Sequence, residues 1–99
     1  MKINGKEMIL TKLEIENIEN EIVAYDKQRK RIISFNQSAS FIWNILNEAN
    51  EQNLDISSQY ICEKIISTYA PQKTNISLLD DVNKILKEFC CEELIKEYV

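Results

Sequence analysis

The chain has 99 residues, 44% of them hydrophobic and 28% charged, with a formal net charge of −4, one Gly and one Pro. That composition implies one ordered domain with a real core and no long linkers, and its acidic balance argues against phosphate-backbone binding, which needs clustered Lys and Arg. No His occurs, which removes Ser-His-Asp and Cys-His nucleophiles and imidazole metal ligands together.

Residues 1–7 are polar and read as a frayed end. No uninterrupted apolar h-region follows the initial Met, and no run reaches membrane-spanning length. These features imply a cytoplasmic chain with no membrane partner. From Ile9 the pattern alternates. Ile9, Thr11, Leu13 and Ile15 share one face, with Lys12, Glu14 and Glu16 on the other, which predicts a strand over about 8–16. Helix competes here, since Leu, Glu and Lys are good helix formers.

Residues 21–26, EIVAYD, and 31–35, RIISF, are two β-rich runs separated by an entirely polar connector, the pattern of a hairpin. In the second run Ile33 and Phe35 point one way, and Ile32 and Ser34 the other. An Asn or Ser cap then opens a helix over about 37–48. There Ala39, Ile42, Trp43 and Leu46 form one face, widened by Phe41 and Ile45. Ile56 and Ser57 read as a staple and cap for a second helix, about 57–70, carrying Ile61, Ile65 and Tyr69 and stopped by Pro71. A third helix is predicted over about 78–96. Ser77 and Asp80 have capping-box spacing, and Leu79, Val82, Leu86 and Phe89 form the inward stripe, widened by Ile85. Leu94, Ile95, Tyr98 and Val99 are apolar enough to dock on the body. Three strands followed by three helices imply an α+β domain: a three-stranded antiparallel sheet followed by a three-helix bundle, like a winged helix-turn-helix.

The motifs that could carry chemistry are few. Cys62, Cys90 and Cys91 lack C-x-x-C spacing, so neither a zinc site nor a disulfide framework is expected. Gly5 is the only glycine, so there is no phosphate loop. The expectation is a protein that is no enzyme and carries no cofactor and no metal. Lys27 to Arg31, KQRKR, has four cations in five residues. It reads either as a solvated turn that discourages edge aggregation or as a guide for an acidic peptide, with single-stranded nucleic acid a weaker third reading. A strand that ends a small sheet and feeds directly into a helix leaves one edge open, and an open edge is a docking slot for another chain's strand.

The run EIVAYD…RIISFNQSASFIWNIL resembles the PqqD-like family of leader-peptide recognition elements. Phe35-Asn36 takes the place of a Leu-Asn pair, and Ser38-Ala39 and Ile42-Trp43 match. Ile61, Ile65 and Tyr69 resemble that family's second helix; Asp81-Val82, Ile85-Leu86 and Phe89 its third; Leu94-Ile95 its terminal pair. The resemblance covers about 21–95. The chain departs from the pattern where Phe35 replaces Leu and where polar residues near Glu48 and at Glu93 replace glycines.

The resemblance implies a stand-alone module that binds the leader of a ribosomally synthesised precursor peptide by strand addition. It would present that peptide to a modifying enzyme or a leader peptidase, in a lasso-peptide or radical SAM pathway. It implies peptide-binding residues Arg31, Ile32, Ile33, Ser34 and Phe35 on the strand. The facing helix positions favoured are Asp81, Lys84, Ile85 and Glu88. Two other classes remain in view, a winged-helix DNA-binding regulator and a small helical adaptor. The residues from Asn75 to the C-terminus hold three Lys and six acids, a local charge of −3, which phosphate would repel; the expected partners therefore include no nucleic acid.

Overall fold

Asn4 and Gly5 both take positive φ, 52° and 81°, the left-handed pair of a two-residue hairpin turn for which Asn-Gly is the strongest local signal. In this structure, a computed structural model that describes residues 1–19, 21–68 and 75–98 (side chains of 75–77 excepted), the turn joins β1 (Lys2–Ile3) to β2 (Lys6–Leu10). The N-terminal residues expected to fray are therefore paired, and Met1 and Ile3 are buried. Asn4 also fixes the turn to the body. Its Nδ2 donates to Ser58 Oγ at 2.9 Å, and its Oδ1 accepts the Ser58 N–H at 2.8 Å.

The single strand expected over about 8–16 is two strands in different sheets, β2 and β3 (Glu14–Ile18). The break falls at Thr11. Its N–H donates to the Leu94 carbonyl at 2.8 Å and its Oγ1 to the Glu93 carbonyl at 2.7 Å. The face was also inverted in β2: Met8 is buried and Leu10 half-buried, while Ile9 is exposed. β3 is exposed along its whole length, so its alternation did not mark a buried face.

β4 (Glu21–Asp26) and β5 (Arg31–Phe35) form the expected hairpin, and the second sheet has the order β3-β4-β5, antiparallel throughout. Asn36 caps α1 (Gln37–Glu51), its side chain accepting the Ala39 N–H at 2.8 Å. The helix runs past the expected 48 because Ala49 is buried and the left-handed stop lies at Asn53, φ 53°. There the Leu54 N–H returns to the Ala49 carbonyl at 2.9 Å and the Asn53 N–H to that of Asn50 at 3.2 Å, the two bonds of a Schellman cap. Asn53, not Glu48, thus holds the place where glycine is commonest.

β6 (Asp55–Ile56) follows, parallel to β1, and then α2 (Ser58–Thr68), capped by Ser57, whose Oγ accepts the Tyr60 N–H at 3.1 Å. α3 (Asn75–Cys91) begins three residues before and ends five residues before the expected 78–96, so Ser77 lies inside the helix and is not its cap. Glu93, φ 60°, ends it in a second Schellman cap: Leu94 N–H to Phe89 carbonyl at 2.8 Å, Glu93 N–H to Cys90 carbonyl at 3.0 Å. Residues expected as helix then become β7 (Ile95–Glu97), which pairs with β2 and completes an unforeseen four-stranded sheet, β6-β1-β2-β7. Leu94 and Ile95 are buried, whereas Tyr98 is exposed. Tyr69, Pro71, Val99 and the Ser77 side chain lie outside the described residues.

One core joins these layers. Trp43, Ile42 and Leu46 of α1, Ile61 and Cys62 of α2, and Val82, Leu86 and Phe89 of α3 are buried with Ile22, Ala24 and Phe35 of the three-stranded sheet. Among the described side chains, Leu78, not Leu79, begins the buried stripe of α3. Phe35, Trp43 and Phe89 meet pairwise, with ring centroids 5.5–5.6 Å apart, so one aromatic trio pins the end of β5 to both α1 and α3.

Candidate functional site

β5 pairs with β4 on one side and has no partner on the other among the described residues. Which of its backbone groups face that open side follows from one serine. Ser40 Oγ accepts the Ile22 N–H at 2.9 Å and donates to the Phe35 carbonyl at 3.2 Å. Ile22 and Phe35 are register partners. A single oxygen reaches both groups only if they point toward each other, as in a hydrogen-bonded antiparallel pair. By alternation, Arg31, Ile33 and Phe35 turn their N–H and C=O groups toward β4, and Ile32 and Ser34 turn theirs to the open edge. The β3–β4 hairpin agrees, because Ile18 pairs with Glu21 across two residues, and the closing pair of a two-residue hairpin exchanges both bonds.

Side chains follow the expected alternation. Phe35 is buried and Ile33 half-buried. Ile32 is 73% exposed on the opposite face, beside its register partner Tyr25. That outer face carries a shallow depression of about 400 Å³ lined by Val23, Tyr25 and Ile32 with Glu14 and Glu16 of β3.

A larger groove of about 540 Å³ begins at Asn36, immediately after β5. Gln37, Ser38, Phe41 and Ile42 of α1 form one wall, and Leu78, Asp81, Val82, Lys84, Ile85 and Glu88 of α3 form the other, with Ile65 of α2 also lining it. All four helix positions singled out from sequence are in this lining. The strand residues are not: α3 runs antiparallel to β5, with Phe89 beside Phe35 and Glu92 beside Arg31, so the earlier turns of α3 lie past the end of β5. The wall from α1 was missed. Its signal was in the chain, since a helix that starts one residue after a strand must place its first turn at that strand's end.

The basic hairpin is largely spent on intramolecular pairs. Asp26 is fully buried. Its Oδ1 accepts the N–H groups of Gln28 and Arg29 at 3.1 and 3.3 Å, and its Oδ2 faces Arg29 at 3.2 Å and Arg31 at 3.4 Å. Arg29 Nε continues to Glu93 at 2.8 Å, and Arg31 to Glu92 at 3.3 Å and to the Glu92 carbonyl. Lys27 meets Glu14 at 2.7 Å. Of the four cations, Lys30 has no ion pair among the described residues. Burial pushes the Asp26 carboxyl up, but the Arg29 amide and guanidinium, with Arg31, outweigh it and hold it below the usual aspartate value. The same partnership, led by Asp26, raises Arg29.

The thiols are dispersed. Cys62 is in the core, where burial raises its pKa, and Cys90 and Cys91 are exposed on α3. No cluster of three potential metal ligands occurs among the described residues, and none of their helices is long and apolar enough to cross a membrane.

No protein-family model and no curated protein matches the chain. Among solved structures it is similar to TbiB1 in complex with the TbiA(beta) leader peptide, at a TM-score of 0.71 and 20% identity, covering 100% of this chain and 99% of that one. The two share a fold, α+β with a three-stranded antiparallel sheet and three helices, compatible with the PqqD-like fold.

Proposed function

We propose that this protein is a leader-peptide recognition module without catalysis of its own. An extended segment of a ribosomally made precursor pairs with the open edge of β5 and continues past Phe35 into the groove between α1 and α3. The observation that carries this reading is the juxtaposition of the unpaired edge of β5 with a groove opening one residue beyond its end. Ile32 and Ser34 supply two donors and two acceptors, and these give sequence-tolerant affinity. Phe41, Ile42, Val82 and Ile85 give the groove an apolar lining, and Asp81, Lys84 and Glu88 add charged groups that select among peptides. The shared fold with a leader-bound protein supports the same reading. Arg31, Ile33 and Phe35 then act by holding the edge in place rather than by pairing with the peptide. A modifying enzyme or leader peptidase in the cytoplasm receives the bound precursor, in a lasso-peptide or radical SAM pathway. The charge of −3 from Asn75 onward disfavours the alternative of a DNA-binding regulator.

The test is a titration of isotope-labelled protein with synthetic N-terminal segments of short open reading frames neighbouring its gene, followed by amide exchange. The expected result is new protection at the Ile32 and Ser34 amides with shifts at Phe41 and Ile85. Binding that leaves those amides unprotected, or no binding by any such segment, overturns the proposal.

A further inference from the structure

We infer that the Asp26-centred cluster is a positioning clasp that holds the docking edge of β5 against the end of α3, and that its arginines do not steer the peptide. The inference rests on the peptide-binding reading above.

Three observations carry it. First, Arg29 and Arg31 each bridge the buried Asp26 on the hairpin to a glutamate just past α3, Glu93 and Glu92. The guanidinium groups are thereby committed on both sides, and a committed cation offers little field to an arriving peptide. Second, the bridges join the two sheets. Glu93 and Leu94 also accept from Thr11, the break between β2 and β3, so the end of α3 is tied to the four-stranded sheet by backbone and to the β4–β5 hairpin by side chains. The aromatic trio fixes the other end of β5. A strand held at both ends is a preorganised template, which lowers the ordering cost of binding.

Third, Glu93 sits at φ 60°, the Schellman position where glycine is favoured and a Cβ is strained. Its side chain makes the 2.8 Å bridge to Arg29. The left-handed turn that ends α3 thus also carries the Glu93 carboxylate to the clasp.

The experiment compares the parent with Glu92→Gln/Glu93→Gln and with Glu93→Gly. Amide exchange of Ala24 and Ile33, which pair across β4 and β5, is read without peptide against Leu46 in α1. Association and dissociation rates are read with a linear peptide selected from a random display library on the parent chain. In both variants the Ala24 and Ile33 amides are expected to exchange faster, with Leu46 unchanged. Dissociation is expected to quicken roughly fivefold in the double variant, the scale of two partly exposed pairs, with association unchanged. Glu93→Gly is expected to do this while its melting temperature stays at or above the parent's, which loss of stability alone does not produce. Unchanged exchange at Ala24 and Ile33 in both variants overturns the clasp. Faster association in the double variant also overturns it, since freed arginines would then be steering. If the library yields no binder to the parent, the peptide-binding reading fails, and exchange at Ala24 and Ile33 still decides whether the clasp holds β5.

Discussion

Ser40 Oγ accepts the Ile22 amide proton at 2.9 Å, standing where the next ladder bond of the β4–β5 hairpin would fall. The same oxygen donates to the Phe35 carbonyl, so a helix side chain closes the sheet at the point where strand gives way to helix. Ser40 is buried, and Ser40→Ala leaves both backbone groups without this partner. The expected cost is about 1–3 kcal/mol of unfolding free energy, measured as a lower urea midpoint with an unchanged slope.

That hydrogen-bond pattern sets opposite outcomes for neighbouring proline substitutions. Ser34→Pro removes a donor from the open edge. The protein is expected to keep its melting temperature within a few degrees and to bind a selected peptide about 5- to 150-fold more weakly, the effect of about 1–3 kcal/mol for one unmet partner. Ile33→Pro removes a donor to β4 and is expected to unfold the hairpin. Melting curves and peptide titrations on both variants check the assignment; the reverse pattern would show the alternation to be inverted.

The Phe35 ring touches both Trp43 and Phe89. Phe35→Leu is expected to keep the fold and cost about 1–3 kcal/mol, from lost ring contacts and a partly filled void. Denaturant unfolding measures this. Emission from Trp43, the single tryptophan, reports the change at the same site.

Asp26 links the clasp to acid stability. Its folded-state pKa is below the ordinary value, so its stabilisation is present above the unfolded aspartate pKa, about 3.9, and is lost as pH falls through the folded value. The stability gap between parent and Asp26→Asn is therefore expected to be flat above about pH 5 and to close only below about pH 4. Glu92 and Glu93 hold the far side of each bridge. Urea midpoints across this range, repeated in Glu92→Gln/Glu93→Gln, separate the Asp26 contribution from theirs.

The thiols provide a check on the core. Cys90 and Cys91 are exposed and Cys62 is buried. Brief alkylation of the native protein is expected to add two groups by mass, and three once it is unfolded, since a buried thiol with a raised pKa is a poor nucleophile.

The sequence by itself determined the parts governed by local rules. The alternation of Ile32 to Phe35, the Asn36 cap and the α1 stripe through Trp43 follow from period and cap chemistry, whereas the choice of Asp81, Lys84, Ile85 and Glu88 on α3 came with the family resemblance. The Asn4-Gly5 hairpin was equally legible, and was lost to the assumption that a polar terminus frays. Other features depended on contacts between residues distant in sequence. Thr11 divides two strands because the Glu93 and Leu94 carbonyls capture its hydrogen-bond donors. α3 ends early because Glu93 adopts the left-handed conformation that frees Ile95 to pair with Leu10. The KQRKR charges became a clasp because folding brings Asp26, Glu92 and Glu93 to them. Which backbone groups face the open edge hung on Ser40, eighteen residues from Ile22. Periodicity records which face of an element is apolar; it carries no record of which distant backbone group will meet it.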